Sequence, residues 1–79
     1  MTILTKYKKQ LTDIVKNYIG DIPDDKVRNH IGKDISNLIG FRVEDATTHN
    51  DIDMGFLMYA VTMPDDKIFT LKIGFNISV

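Results

Sequence analysis

Two periodicities divide the chain. Leu4, Tyr7, Leu11, Ile14 and Tyr18 follow one another at spacings of 3, 4, 3 and 4, which places them in one stripe of an α-helix. Ile3 and Val15 widen that stripe, while Lys6, Lys9, Asp13 and Lys16 fall on the opposite face. The pattern predicts a helix over 3–19, ended by Gly20, a residue able to turn left-handed after the last helical turn. In "DIPDDK", Pro23 cannot sit inside a helix, Asp24 is a good N-cap, and Asp25 adds negative charge where the helix dipole favours it. Val27, Ile31, Ile35, Leu38 and Ile39 then form the apolar face of a second helix, which ends at Gly40. Asp24 and Arg28 stand as i,i+4 partners in it. Gly32 is a weak point, about 1 kcal/mol worse than Ala, and offers close packing against the first helix.

After Gly40 the period becomes two. Phe41 and Val43 share one side of a short strand, with Arg42 and Glu44 on the other. "GFLMYAVTM" is apolar on both sides, as a central strand is. "PDDK" is a turn, and "IFTLKIGFNISV" alternates: Phe69, Leu71, Ile73, Phe75, Ile77 and Val79 face one way, and Ile68, Thr70, Lys72, Gly74, Asn76 and Ser78 the other. A three-residue loop of Pro64, Asp65 and Asp66 pairs Met63 with Lys67. It then sets Val61 opposite Phe69, Tyr59 opposite Leu71 and Leu57 opposite Ile73, all on one face. The other face pairs Thr62 with Ile68, Ala60 with Thr70, Met58 with Lys72, and Phe56 with Gly74 as an aromatic covering a strand glycine. The expected fold is a single α+β domain over 1–79: two N-terminal helices packed on one face of a three-stranded antiparallel meander, α-α-β-β-β.

Composition narrows the chemistry. A chain of 79 residues buries only roughly 60–65% of the surface its unfolded form exposes, so stability is expected to be modest. There is no Cys, which removes disulfides, thiolate zinc sites, iron–sulfur clusters and thiol nucleophiles, and fits a reducing cytoplasm. No apolar run approaches the roughly 18 residues of a membrane span. "MTILTKYKKQL" places its lysines after the first apolar residues and lacks the apolar region of a secretory signal. A composition rich in Ile, Asp, Lys and Asn and free of Trp has the character of an AT-rich genome, bacterial or phage. Four lysines against one aspartate give residues 1–20 a charge of +3; six basic against ten acidic residues give the remainder −4, together the −1 of the chain.

The stretch that most resembles chemistry is "TTHNDIDMG", residues 47–55. Thr, His, Asn, Asp and Gly are also the residues with which a chain connects two strands, because Asn and Asp bond to nearby backbone amides and Gly relieves strain. A calcium loop starting at Asp51 needs Gly and Glu where Phe56 and Thr62 stand. A zinc site would draw on His49, Asp51 and Asp53, or on His30 and Asp34, but no spacing joins the two groups. Glu44 and Asp45 point to opposite faces of a strand. The glycines form no phosphate loop and no nucleophile elbow is present. These absences argue against an enzyme, a metal and a cofactor. His30 reads as a residue at the border of its apolar stripe.

Two surfaces invite a partner. Phe56, Met58, Ala60 and Ile68 fall on the sheet face away from the helices, too apolar for a solvated face unless a terminus or the 47–55 connection covers them. The final strand adds an apolar edge open to strand addition. The leading expectation is therefore a non-catalytic protein-binding module, using that face, the edge or the acidic Asp51 and Asp53. An inhibitor of a host or defence enzyme, carried by a phage or mobile element, is one concrete form, and a homodimer through the same face is compatible. The alternative is a nucleic-acid-binding or transcription accessory protein using Lys6, Lys8, Lys9 and Lys16, against which Asp13 interrupts the lysines.

Overall fold

Helix, helix, strand, strand, strand is the order in which the elements follow, with one short helix inserted. The computed structural model describes residues 3–18 and 24–75, with side chains from residue 5 onward. The elements are α1 (Ile3–Lys16), α2 (Asp25–Ile39), β1 (Arg42–Asp45), α3 (His49–Asp53), β2 (Phe56–Thr62) and β3 (Ile68–Gly74). Gly20 as a helix stop, Pro23 as a breaker, and the residues of the final strand from Asn76 onward lie outside the described residues.

Asp24 begins α2 as its sequence position implies. Its backbone is extended, and its carboxylate accepts from the Val27 amide at 2.9 Å. Gly40 ends the helix at φ 77°, where any other residue would be strained, and its N–H donates to the Ser36 carbonyl at 2.8 Å. The Ser36 hydroxyl then donates to the Phe41 carbonyl at 2.7 Å, fixing the corner from α2 into β1.

The sheet is antiparallel in the order β1-β2-β3. The β2–β3 register is the one the alternation requires, Leu57↔Ile73, Tyr59↔Leu71, Val61↔Phe69 and Thr62↔Ile68 among its pairs. The loop between them closes with the Met63 amide on the Lys67 carbonyl at 2.7 Å and the Asp66 amide on the Met63 carbonyl at 2.9 Å. Asp66 takes φ 64°, the left-handed third loop residue that a three-residue hairpin uses.

Leu11 and Val15 of α1, Ile31, Ile35 and Ile39 of α2, and Leu57, Tyr59, Val61, Leu71 and Ile73 of the sheet form one buried core. Tyr7, Ile14 and Tyr18 pack at its margin, as their place on the apolar stripe implies. All the buried strand residues belong to one face, and α1 and α2 both pack on that side. Gly32 does allow a close approach, but to the sheet and not to the first helix. A Cβ there would lie 3.1 Å from the Tyr59 ring.

Candidate functional site

Phe56, Met58, Ala60 and Ile68 are brought together on the outer face of the sheet, through the pairings Met58↔Lys72, Ala60↔Thr70 and Thr62↔Ile68. Phe56, Met58 and Ala60 are half-buried, whereas Ile68 is 66% exposed. Charged residues frame the apolar strip. On β1, Arg42 bonds to Glu44. On β3, the Lys72 ammonium stands 4.0 Å from the centre of the Phe56 ring, a cation–π contact. A Cβ at Gly74 would meet nothing within 4 Å, so the Phe56 ring leans toward Lys72 and does not cover the glycine.

The 47–55 stretch connects β1 to β2, as expected, but it does so as a helix. Thr48 accepts from the Asp51 amide at 3.2 Å, and the Asp51 carboxylate accepts from the Thr48 amide at 2.8 Å. This reciprocal capping box holds five residues in helical form. Gly55 leaves it at φ 88°. Asp51 is thus engaged with its own backbone. Asp53 faces His49, with Oδ2 3.7 Å from Nε2, both side chains being exposed. Among the described residues, neither carboxylate bonds to a side chain of the outer face. No group of three or more His, Asp or Glu there is placed to hold a metal ion. Thr47 ties the connection to the sheet: its hydroxyl donates to the Met58 carbonyl at 3.1 Å and accepts from the Met58 amide at 3.0 Å.

Asp45 and Arg28 form the polar centre of the molecule. Arg28 Nε donates to Asp45 Oδ2 at 2.9 Å, with side chains only 13% and 15% exposed. Arg28 also bonds to Asp25. Burial pushes the Asp45 carboxyl upward, but hydrogen bonds from Thr47 and Arg28 outweigh it and hold the group below its ordinary value. The Asp45 hydrogen bond and charge also keep the Arg28 guanidinium more firmly protonated. Asp34, four residues from His30, accepts instead from the Tyr18 hydroxyl at 2.9 Å. His30 is exposed and not at the border of the core.

Lys6, Lys8, Lys9 and Lys16 are all exposed on α1, together with Asp13. Sequence reading missed a second basic surface: Lys26, Asn29, His30 and Lys33 line a shallow depression on the exposed side of α2. Their spacing of three, one and three residues is the signal that could have found it. No described helix is long and apolar enough to cross a membrane. Set against known proteins, the chain matches no family model, no curated protein and no solved structure.

Proposed function

We propose that this chain is a small non-catalytic protein-binding module that engages a partner protein through the outer face of its sheet. One observation carries the reading: Phe56, Met58, Ala60 and Ile68 are neighbours on the face that α1 and α2 leave uncovered. Apolar centres framed by charge are the anatomy of an interface, and Lys72 with the Arg42–Glu44 pair supplies that frame. Inhibition of an enzyme by covering its surface, and self-association through the same strip, are forms of this one activity. Met58→Glu tests it. The variant should retain its circular dichroism and melting behaviour yet lose the partner captured from lysate, or lose its dimer in light scattering. A folded Met58→Glu variant with unchanged binding sinks the reading.

A second reading is nucleic-acid binding by the helical layer. Lys6, Lys8, Lys9 and Lys16 are exposed on α1, and Lys26 and Lys33 on α2. Phosphate contacts release counterions, so affinity for a DNA or RNA oligonucleotide should fall steeply as salt rises. Binding indifferent to salt, or none at low salt, removes it.

A further inference from the structure

The free edge of β3 has a definite chemistry. The Met63 amide bonds to Lys67 at one end of the β2–β3 ladder, and the Phe75 amide bonds to the Gly55 carbonyl at 3.0 Å at the other. Hydrogen-bonded pairs alternate along an antiparallel ladder, so the odd-numbered residues Phe69, Leu71 and Ile73 direct their N–H and C=O groups at β2. The backbone groups of Ile68, Thr70, Lys72 and Gly74 point the other way, where no strand pairs with β3 among the described residues. The pairing runs without interruption from Ile68 to Gly74, so no bulge turns this edge aside, and no proline blunts it.

A cleft of about 250 Å³ lies beside the edge, lined by Lys8, Leu11 and Thr12 of α1 and by Lys72, Ile73 and Gly74 of β3. Leu11 and Ile73 are buried, whereas Lys8 and Lys72 are exposed. Among the described residues, no carboxylate lines the cleft. Among the described residues, neither lysine belongs to an ion pair.

We infer that this edge takes up an extended acidic segment of a partner protein as a fourth strand. The inference rests on the protein-binding reading and names the chemistry of the partner. An added strand alternates its side chains, one set toward α1 and the other toward the outer face. Carboxylates in the first set meet Lys8, and carboxylates in the second meet Lys72. Main-chain bonds to Thr70, Lys72 and Gly74 supply the attachment, and the two ammonium groups select the sign of the guest. A second copy of the chain is the poorer occupant, because pairing through β3 sets Lys8 and Lys72 against their own duplicates, and like charges across a ladder are destabilising.

Amide hydrogen exchange on the isotopically labelled chain tests this, with a short capped peptide of repeating Glu-Glu-Val-Val, which puts carboxylates on both faces of an extended strand, as the probe. In the free protein the Thr70, Lys72 and Gly74 amides should exchange fast and those of Phe69, Leu71 and Ile73 slowly. With the peptide at about ten times its dissociation constant, the fast set should slow by about tenfold. Lys8→Glu and Lys72→Glu should each abolish that protection, and the Lys–Val counterpart should not produce it. Four results overturn the inference. The edge amides stay unprotected; the peptide shifts α1 resonances alone; a single-stranded DNA oligonucleotide gives the same protection; or protection appears without peptide and grows with protein concentration, which assigns the edge to a second copy. Met58→Gln separates this from the face reading, since it makes the outer face polar without setting a carboxylate opposite Lys72. Edge protection retained in a Met58→Gln variant that also keeps its partner sinks the face alone. Loss of the partner in Met58→Gln, with no edge protection in the parent, sinks the edge alone.

Discussion

The Tyr59 hydroxyl donates to the Arg28 carbonyl at 2.9 Å, reaching from the middle strand into the first turn of α2. Burial raises the phenol above its ordinary value of 10.0, with the Asp45 charge adding to it, so the group stays a donor. Tyr59→Phe keeps the ring and removes only this bond. Urea denaturation should show a loss of about 1 kcal/mol. A loss near zero would mean that ring packing alone seats the helix.

Gly32→Ala sets two effects against each other. Helix propensity favours Ala by about 1 kcal/mol, but its methyl would lie 3.1 Å from Cε1 of Tyr59. That ring is fully buried and pinned by its hydroxyl, so it yields little. Overpacking costs about 1–3 kcal/mol, and the expected balance is a net loss of about 1 kcal/mol. In a Tyr59→Phe background the ring is freer to shift, so the double variant should lose less than the sum of the singles.

Asp45 makes stability depend on acid. Its folded-state value lies below the ordinary 3.8, so its contribution is complete above that value and is lost as pH falls through the lowered one. Asp45→Asn should cost about 1–2 kcal/mol at neutral pH. The cost should shrink toward nothing in strong acid, where the native carboxyl is protonated too. Urea midpoints of both proteins across the acid range give the curves, and parallel curves would contradict the assignment.

Thr48→Ala removes one half of the α3 cap. The expected cost of about 1 kcal/mol falls on the local folding of α3, read as loss of helical Cα chemical shifts over His49–Asp53. Five residues have too few internal bonds to persist without it. Global melting should move little, because α3 buries no residue.

The parts of the molecule legible in the sequence were those whose signal is local. Asp24 and Gly40 mark the ends of α2 by their own conformational preferences. The β2–β3 register follows from alternation on both strands and a loop too short to slip. Arg28 was not legible, because its chief partner Asp45 is seventeen residues away and is delivered by the fold. Gly32 was assigned to the wrong neighbour for the same reason. α3 carries no apolar period, yet Thr48 and Asp51 stand at capping-box spacing, with Asp in the place more often held by Glu or Gln. Of the outer face, the four apolar residues were found by strand parity. The turn of Phe56 toward Lys72 was not, since a cation and a glycine compete there for one ring.

α2 is fastened to the sheet by Arg28–Asp45 and by Tyr59 on the Arg28 carbonyl. α1 packs on the core through Leu11 and Val15, with Leu11 beside Ile73 at the edge of the sheet. An opening that lifts α1 uncovers Ile73 on the strand whose outer backbone pairs with no strand among the described residues. The most aggregation-prone form of this molecule is then one helix away from the native one, and every residue that seats α1 also guards its solubility.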